Sequence, residues 1–122
     1  MAERISDAEH AVMEVLWNKS PLTANAVADS LEGHQEWTLA TVKTLLSRLL
    51  GKGAVAAEAE GRRFQYRPVI ARSEYVTGES RRMVDRLFGG KLSPLVASLA
   101  AQEALTTEDI AEIEALLREL KK

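Results

Sequence analysis

From Leu39 to Leu50 the apolar residues recur with helical spacing, and directly after Gly53 the spacing changes to alternation. That switch constrains the fold strongly. A helix must bury a stripe and a hairpin must bury a face, and elements this close in the chain share one core. Leu39, Val42, Leu45, Leu46, Leu49 and Leu50 fall on one side of a helix expected from Leu39 to about Gly51. Thr38 can cap its start, and Gly53 sits where the chain must leave it. Ala54–Glu60, Gly61 and Arg62–Val69 then read as a hairpin turning near Glu60-Gly61. Phe64 and Tyr66 alternate with Arg63, Gln65 and Arg67, which makes one face aromatic and the other polar and basic.

Two helices are expected upstream. Ser6-Asp7-Ala8-Glu9 has capping-box spacing, and the helix it opens runs to about Asn18 with Ala8, Val12, Met13, Val15 and Leu16 at helical intervals. Ser20-Pro21 interrupts the chain. Thr23 is a candidate cap for a second helix to about Glu32, burying Val27 and Leu31 and ending at Gly33. Three helices followed by a hairpin is the order of a winged helix-turn-helix, a mainly α fold with a small β-hairpin.

The outer face of the third helix carries Ala40, Thr41, Thr44, Ser47 and Arg48, with Lys43 and Lys52 on its flanks and no acid. An ordinary solvated face would mix Glu with Lys. Small side chains let a backbone approach closely, Thr methyls can touch thymine, and Lys or Arg reaches guanine edges or phosphates. Thr38, Thr41, Lys43, Thr44, Ser47 and Arg48 are therefore the expected DNA-binding residues of the helix. Arg62 and Arg63 at the hairpin tip are placed to grip phosphates or a minor groove.

A net charge of −2 looks wrong for such a partner until it is resolved along the chain. Residues 1–37 hold seven acidic side chains against Arg4 and Lys19. Residues 38–72 reverse this, with Lys43, Arg48, Lys52, Arg62, Arg63, Arg67 and Arg72 against Glu58 and Glu60. Phosphate neutralisation depends on local charge, so the middle segment decides.

Pro68 closes the hairpin. A fourth helix is expected from about Ser73 to Phe88, carrying Tyr75 or Val76, Met83, Val84, Leu87 and Phe88, and ending at Gly89-Gly90. Ser93-Pro94 reads as a cap followed by proline in the first helical position, opening a short helix to about Gln102. Thr106 or Thr107 caps a last helix to about Leu120, with Ile110, Ile113, Leu116, Leu117 and Leu120 in one stripe. A segment of about 50 residues builds an independent core with difficulty. The expected organisation is a winged-helix DNA-binding domain over 1–72 and a helical dimerisation domain over 73–122 that pairs with its copy.

Several classes are disfavoured. The chain has no cysteine, which removes disulfides, thiolate metal sites and thiol catalysis. Met1–Trp17 carries charges without an apolar central stretch, and the longest uncharged run, Leu92–Gln102, is too short to span a bilayer. A soluble, cytoplasmic protein without membrane insertion is expected. His10 and Glu14 have the i, i+4 spacing of paired metal ligands, but no third ligand is evident and no nucleophile motif or phosphate loop accompanies them. No enzyme activity, cofactor or metal is expected. A winged helix can also dock proteins, which an acid-free face beside a basic hairpin disfavours; a regulator released by a small ligand is the alternative function.

The strings ISDAEHAVMEVLW, PLTANAVADSL, TVKTLLSRLLGKGAV and EGRRFQYRPV resemble the penicillinase-repressor family, BlaI and MecI with the copper-responsive CopY as a relative. The likeness extends more weakly through Glu74-Tyr75 and SPLVASLAAQEALTTEDIAEIEALL. TVKTLLSRL with its following KG is the most specific block. The resemblance implies a homodimer that represses transcription from palindromic operators with TACA/TGTA half-sites. Such operators control a β-lactamase or other resistance or stress operon, often together with a membrane metalloprotease sensor whose signal ends in cleavage of the repressor arm. The family's recognition-helix positions fall on Thr41, Lys43, Thr44, Ser47 and Arg48, and its wing contacts around Arg62, Arg63 and Tyr66. Departures are informative. Ala40 stands where members often carry a lysine, and His10 where they commonly have an aromatic residue. Ser98-Leu99 occupies the position of the familiar Asn-Phe cleavage pair, which makes it the candidate cleavage site. The cysteine motif of the copper-responsive relatives is absent.

Overall fold

The computed structural model describes residues 4–122, so Met1, Ala2 and Glu3 of the expected first domain lie outside the described residues. The chain divides into a compact unit that ends at Val76 and a second, Thr77–Lys122.

The first unit opens with α1 (Asp7–Asn18), started by the expected capping box: the Glu9 amide donates to Ser6 Oγ at 3.1 Å, and the Ser6 amide donates to Glu9 Oε1 at 2.9 Å. The chain then forms a short strand, β1 (Leu22–Thr23), before α2 (Ala24–Leu31). Thr23 caps α2 by accepting from the Ala26 amide, and Thr38 caps α3 (Leu39–Gly51) by accepting from the Thr41 amide. The hairpin consists of β2 (Val55–Glu60) and β3 (Arg63–Pro68), paired antiparallel from Val55↔Pro68 to Glu60↔Arg63. Its turn is Gly61-Arg62, one residue later than the spacing suggests, with Gly61 at φ +62°. That left-handed conformation strains any residue with a Cβ, so glycine sets the turn's place.

β1 is an unforeseen third strand. Leu22 pairs with Tyr66 and Thr23 with Gln65, giving the sheet order β1-β3-β2. Two residues are too few to show alternation, and only the presence of β3 makes them a strand.

The core is aliphatic. Val12, Met13 and Leu16 of α1, Val27 and Leu31 of α2, Val42, Leu45, Leu46 and Leu49 of α3, and Ala54 and Val55 at the hairpin's base are buried. Leu39 and Leu50, expected inside, are each 38% exposed. At about 100° per residue they sit on the flank of the stripe centred between Val42 and Leu49. Trp17, Trp37, Leu22, Tyr66 and Ile70 close the rim. The indole N–H of Trp17 donates to the Ile70 carbonyl at 2.9 Å.

α4 (Arg72–Phe88) begins within the first unit, where Arg72 forks onto Glu14 through Nε at 2.7 Å and a second nitrogen at 3.2 Å. Tyr75 stacks on the His10 imidazole with centroids 5.3 Å apart and leans on Trp17 at 5.4 Å. His10 thus serves as an aromatic neighbour, and Glu14 holds Arg72. Among the described residues no group of three or more His, Asp or Glu side chains is placed to hold a metal ion.

The second unit contains the rest of α4, α5 (Leu92–Ala101) and α6 (Thr107–Leu120). α6 starts at a capping box between Thr106 and Asp109. α5 corrects the expected cap: its N-cap is Lys91, without a side-chain bond, so Ser93 and Pro94 lie inside its first turn. The first-turn amides of a helix have no acceptor within it, so proline costs nothing there either. None of the hydrophobic side chains of α5 or α6 is fully buried. Leu99, Ile110, Leu116, Leu117 and Leu120 are between 41% and 80% exposed. No described helix is long and apolar enough to cross a membrane.

Candidate nucleic-acid interface

Three of the seven basic residues between Thr38 and Arg72 are already engaged. Lys52 lies 2.6 Å from the buried Glu9 carboxylate and donates to the Arg4 carbonyl as well. Arg72 is held by Glu14, and Arg67 lies 4.0 Å from Glu58. Lys43, Arg48, Arg62 and Arg63 form no ion pair with a described acidic residue and are exposed. These four are the cations singled out as candidate DNA contacts. Lys52, placed by periodicity on the flank of that face, turns inward instead.

The pairing of Lys52 has an electrostatic cause. Glu9 is 2% exposed, so burial pushes its carboxyl up, but the hydrogen bonds from Lys52 and from Ser6 outweigh this and hold it below the ordinary value. Among the described residues Glu9 Oε2 is buried without a hydrogen-bond partner, and Lys52 is the one cation paired with that carboxylate.

At the start of α3 and along it, the threonine hydroxyls are turned to the helix itself. Thr38 Oγ1 accepts from the Thr41 amide and lies 3.2 Å from Thr41 Oγ1, while Thr44 donates its hydroxyl to the Ala40 carbonyl at 3.0 Å. A hydroxyl that donates to its own backbone keeps only acceptor capacity for a ligand. Thr44 therefore offers its methyl group and a lone pair. Ser47 and Arg48 follow on the same exposed face.

The wing and α3 meet across a cleft of about 300 Å³, lined by Lys43 from α3, Asn25 from the first turn of α2, and Arg62, Arg63, Phe64 and Tyr66 from the hairpin. This joins helix and wing cations in one basic concavity beside an exposed helix face. Such a shape suits a polyanion with regularly spaced charges. Asn25 and Phe64 were not among the residues expected at the interface. Asn25 could have been found from its place just after the Thr23 cap, where free backbone amides attract anions.

Ser98 and Leu99 lie elsewhere, inside α5, where the Leu99 carbonyl accepts from the Ala104 amide at 2.9 Å. The bond between them is part of a helix that must unwind before a protease can hold it extended.

A family model described as penicillinase repressor matches residues 5–119. The penicillinase repressor of Bacillus licheniformis is 36% identical over 118 residues, covering 97% of this chain and 92% of its own. Two solved structures align with 62% of this chain. The DNA-binding domain of the repressor BlaI does so at a TM-score of 0.55 and 42% identity, over 94% of that chain. The monomeric form of Bacillus licheniformis BlaI in complex with the blaP half-operator does so at 0.53 and 41%, over 92%.

Proposed function

The chain belongs to the penicillinase repressor family, and from that premise we propose that it is a homodimeric repressor of palindromic operator DNA. At the coarser level it is a DNA-binding transcriptional repressor built on a winged helix, and not an enzyme. The unit ending at Val76 binds DNA and the unit Thr77–Lys122 joins two copies. α3 enters the major groove, where Thr41, Lys43, Thr44 and Ser47 select bases next to the cap residue Thr38. Arg48, Arg62, Arg63 and Tyr66 hold the sugar–phosphate backbone. Two recognition helices in successive major grooves then occlude a promoter.

The observation that carries this reading is the separation of the cations: Lys43 and Arg48 on α3 and Arg62 and Arg63 at the wing tip form no ion pair with a described acidic residue, whereas Lys52 and Arg72 are held by Glu9 and Glu14. The exposed leucines of α5 and α6, with Ile110, support a dimer, since a large exposed apolar face marks an interaction surface. The family supports half-sites of the TACA/TGTA type and a β-lactamase or other resistance operon as target. It also supports a membrane metalloprotease sensor as the upstream partner, with Ser98-Leu99 as the bond that would be cut.

A gel shift with a duplex carrying two such half-sites, run at two salt concentrations, tests the reading. Binding should weaken steeply as salt rises and exceed that of a random duplex. Equal affinity for both duplexes, or indifference to salt, refutes it.

A further inference from the structure

Phe64 is 56% exposed, although it sits on the strand face that two residues later carries Tyr66 into the core rim. Side chains at i and i+2 of a strand point to the same side, so the ring lies on the core side of the hairpin but beyond the core's edge. Its cross-strand neighbour is Ala59, too small to cover it. The cleft it lines carries the exposed cations Lys43, Arg62 and Arg63, with Thr23, Ala24, Asn25 and Tyr66 completing its wall and no acid among them. A ligand that satisfies this surface must be anionic and must also present an apolar patch beside its charges. A free phosphate meets only the first requirement. The sugar–phosphate backbone of DNA meets both, because a deoxyribose with its C–H face connects each pair of phosphates.

We propose that Phe64 is a DNA-binding residue whose ring packs on a deoxyribose of the strand gripped between Lys43 and the wing arginines. This rests on the reading that the α3 and wing face binds DNA, and it adds a contact that is neither ionic nor base-reading. The ring lets the wing hold the backbone at salt concentrations that weaken its arginines, since apolar burial is insensitive to counterions. It favours no sequence, since every nucleotide carries the same sugar.

The test is fluorescence anisotropy of the full chain with a labelled random-sequence duplex and a labelled duplex carrying TACA/TGTA half-sites, each over a salt series. Phe64→Ala is expected to weaken both about tenfold at every salt concentration, with the slope of log affinity against log salt unchanged. Phe64→Leu should recover part of the loss and serves in its place if the alanine variant fails to fold by circular dichroism. Wild-type affinity in a folded variant overturns the proposal. So does a slope shallower by about one charge, which would mean that the ring only props an arginine, and so does a loss confined to the half-site duplex, which would make it a base reader. Should the unmutated chain bind neither duplex, the DNA-binding reading itself fails, a result distinct from any of these.

Discussion

Lys52 Nζ lies 2.6 Å from Glu9 Oε1, tying the residue that caps the C-terminus of α3 to the first turn of α1. The same carboxylate oxygen accepts the Ser6 amide of the α1 capping box. One buried oxygen therefore starts one helix and anchors the end of another, and that second helix carries the candidate base-reading residues.

Removing the cation should be costly, because it leaves a buried carboxylate without its countercharge. Lys52→Met is expected to lower the unfolding free energy by about 3 kcal/mol, read from urea denaturation at neutral pH. Glu9→Leu combined with Lys52→Met should restore much of it. A single variant as stable as the parent would show the pair to be inert.

The two held carboxylates also set an acid limit. Glu9 is lowered below its ordinary value of 4.5 by Lys52 and Ser6 against its burial, and Glu14 is lowered chiefly by the Arg72 hydrogen bond. A group whose pKa is depressed on folding contributes its full stability above the unfolded value and loses it as pH falls through the folded one. The melting temperature should therefore be flat above the ordinary carboxylate range and fall below it. Glu14→Gln should make that acid slope shallower; an unchanged slope would remove Glu14 from the account.

Arg48 and Arg62, neither of them ion-paired among the described residues, should act through phosphates. Arg48→Ala and Arg62→Ala are each expected to weaken operator and random DNA alike and to lower the salt slope by about 0.9. Anisotropy titrations over a salt series measure both quantities, and a steeper or unaltered slope would contradict the assignment.

Thr44 donates its hydroxyl to the Ala40 carbonyl, so its methyl and an acceptor lone pair are left to meet a base, and we expect the methyl to carry the preference. Thr44→Val should keep sequence preference, whereas Thr44→Ser should lose about 1 kcal/mol of it at one base pair. Replacing the contacted thymine by uracil should cost the parent protein the same amount and the serine variant nothing. A loss of preference in the valine variant would show that the hydroxyl reads the base after all.

Leu117 is half exposed in the α6 stripe. In the proposed dimer Leu117→Asp should shift the chain toward monomer in sedimentation equilibrium while the melting of the first unit persists. A variant that remains dimeric places the interface elsewhere.

Much of this protein was legible before any coordinates, and the reason is locality. Ser6 with Glu9, Thr23, Thr38 and Thr106 each close a hydrogen bond within one helical turn. Spacing of three residues alone therefore sets where α1, α2, α3 and α6 begin. The buried stripe of α3 follows from 3.6-residue periodicity in the same way. What periodicity leaves open is angle at the edges of a stripe, which is why Leu39 and Leu50 stay partly exposed and Lys52 turns inward.

The segment from Leu39 through the hairpin, helical spacing giving way to alternation at Gly53, determined by itself that a helix is followed by a basic two-stranded wing. The tertiary structure decided which of its cations are free. Glu9 and Lys52 are 43 residues apart, and Glu14 and Arg72 are 58 apart, so no local spacing encodes either pair. Leu22–Thr23 became a strand only because β3 presented an edge to it. Phe64 became a surface residue only because the core ends at Tyr66. Local hydrogen bonds depend on neighbours along the chain, whereas burial and charge pairing depend on which elements the fold brings together.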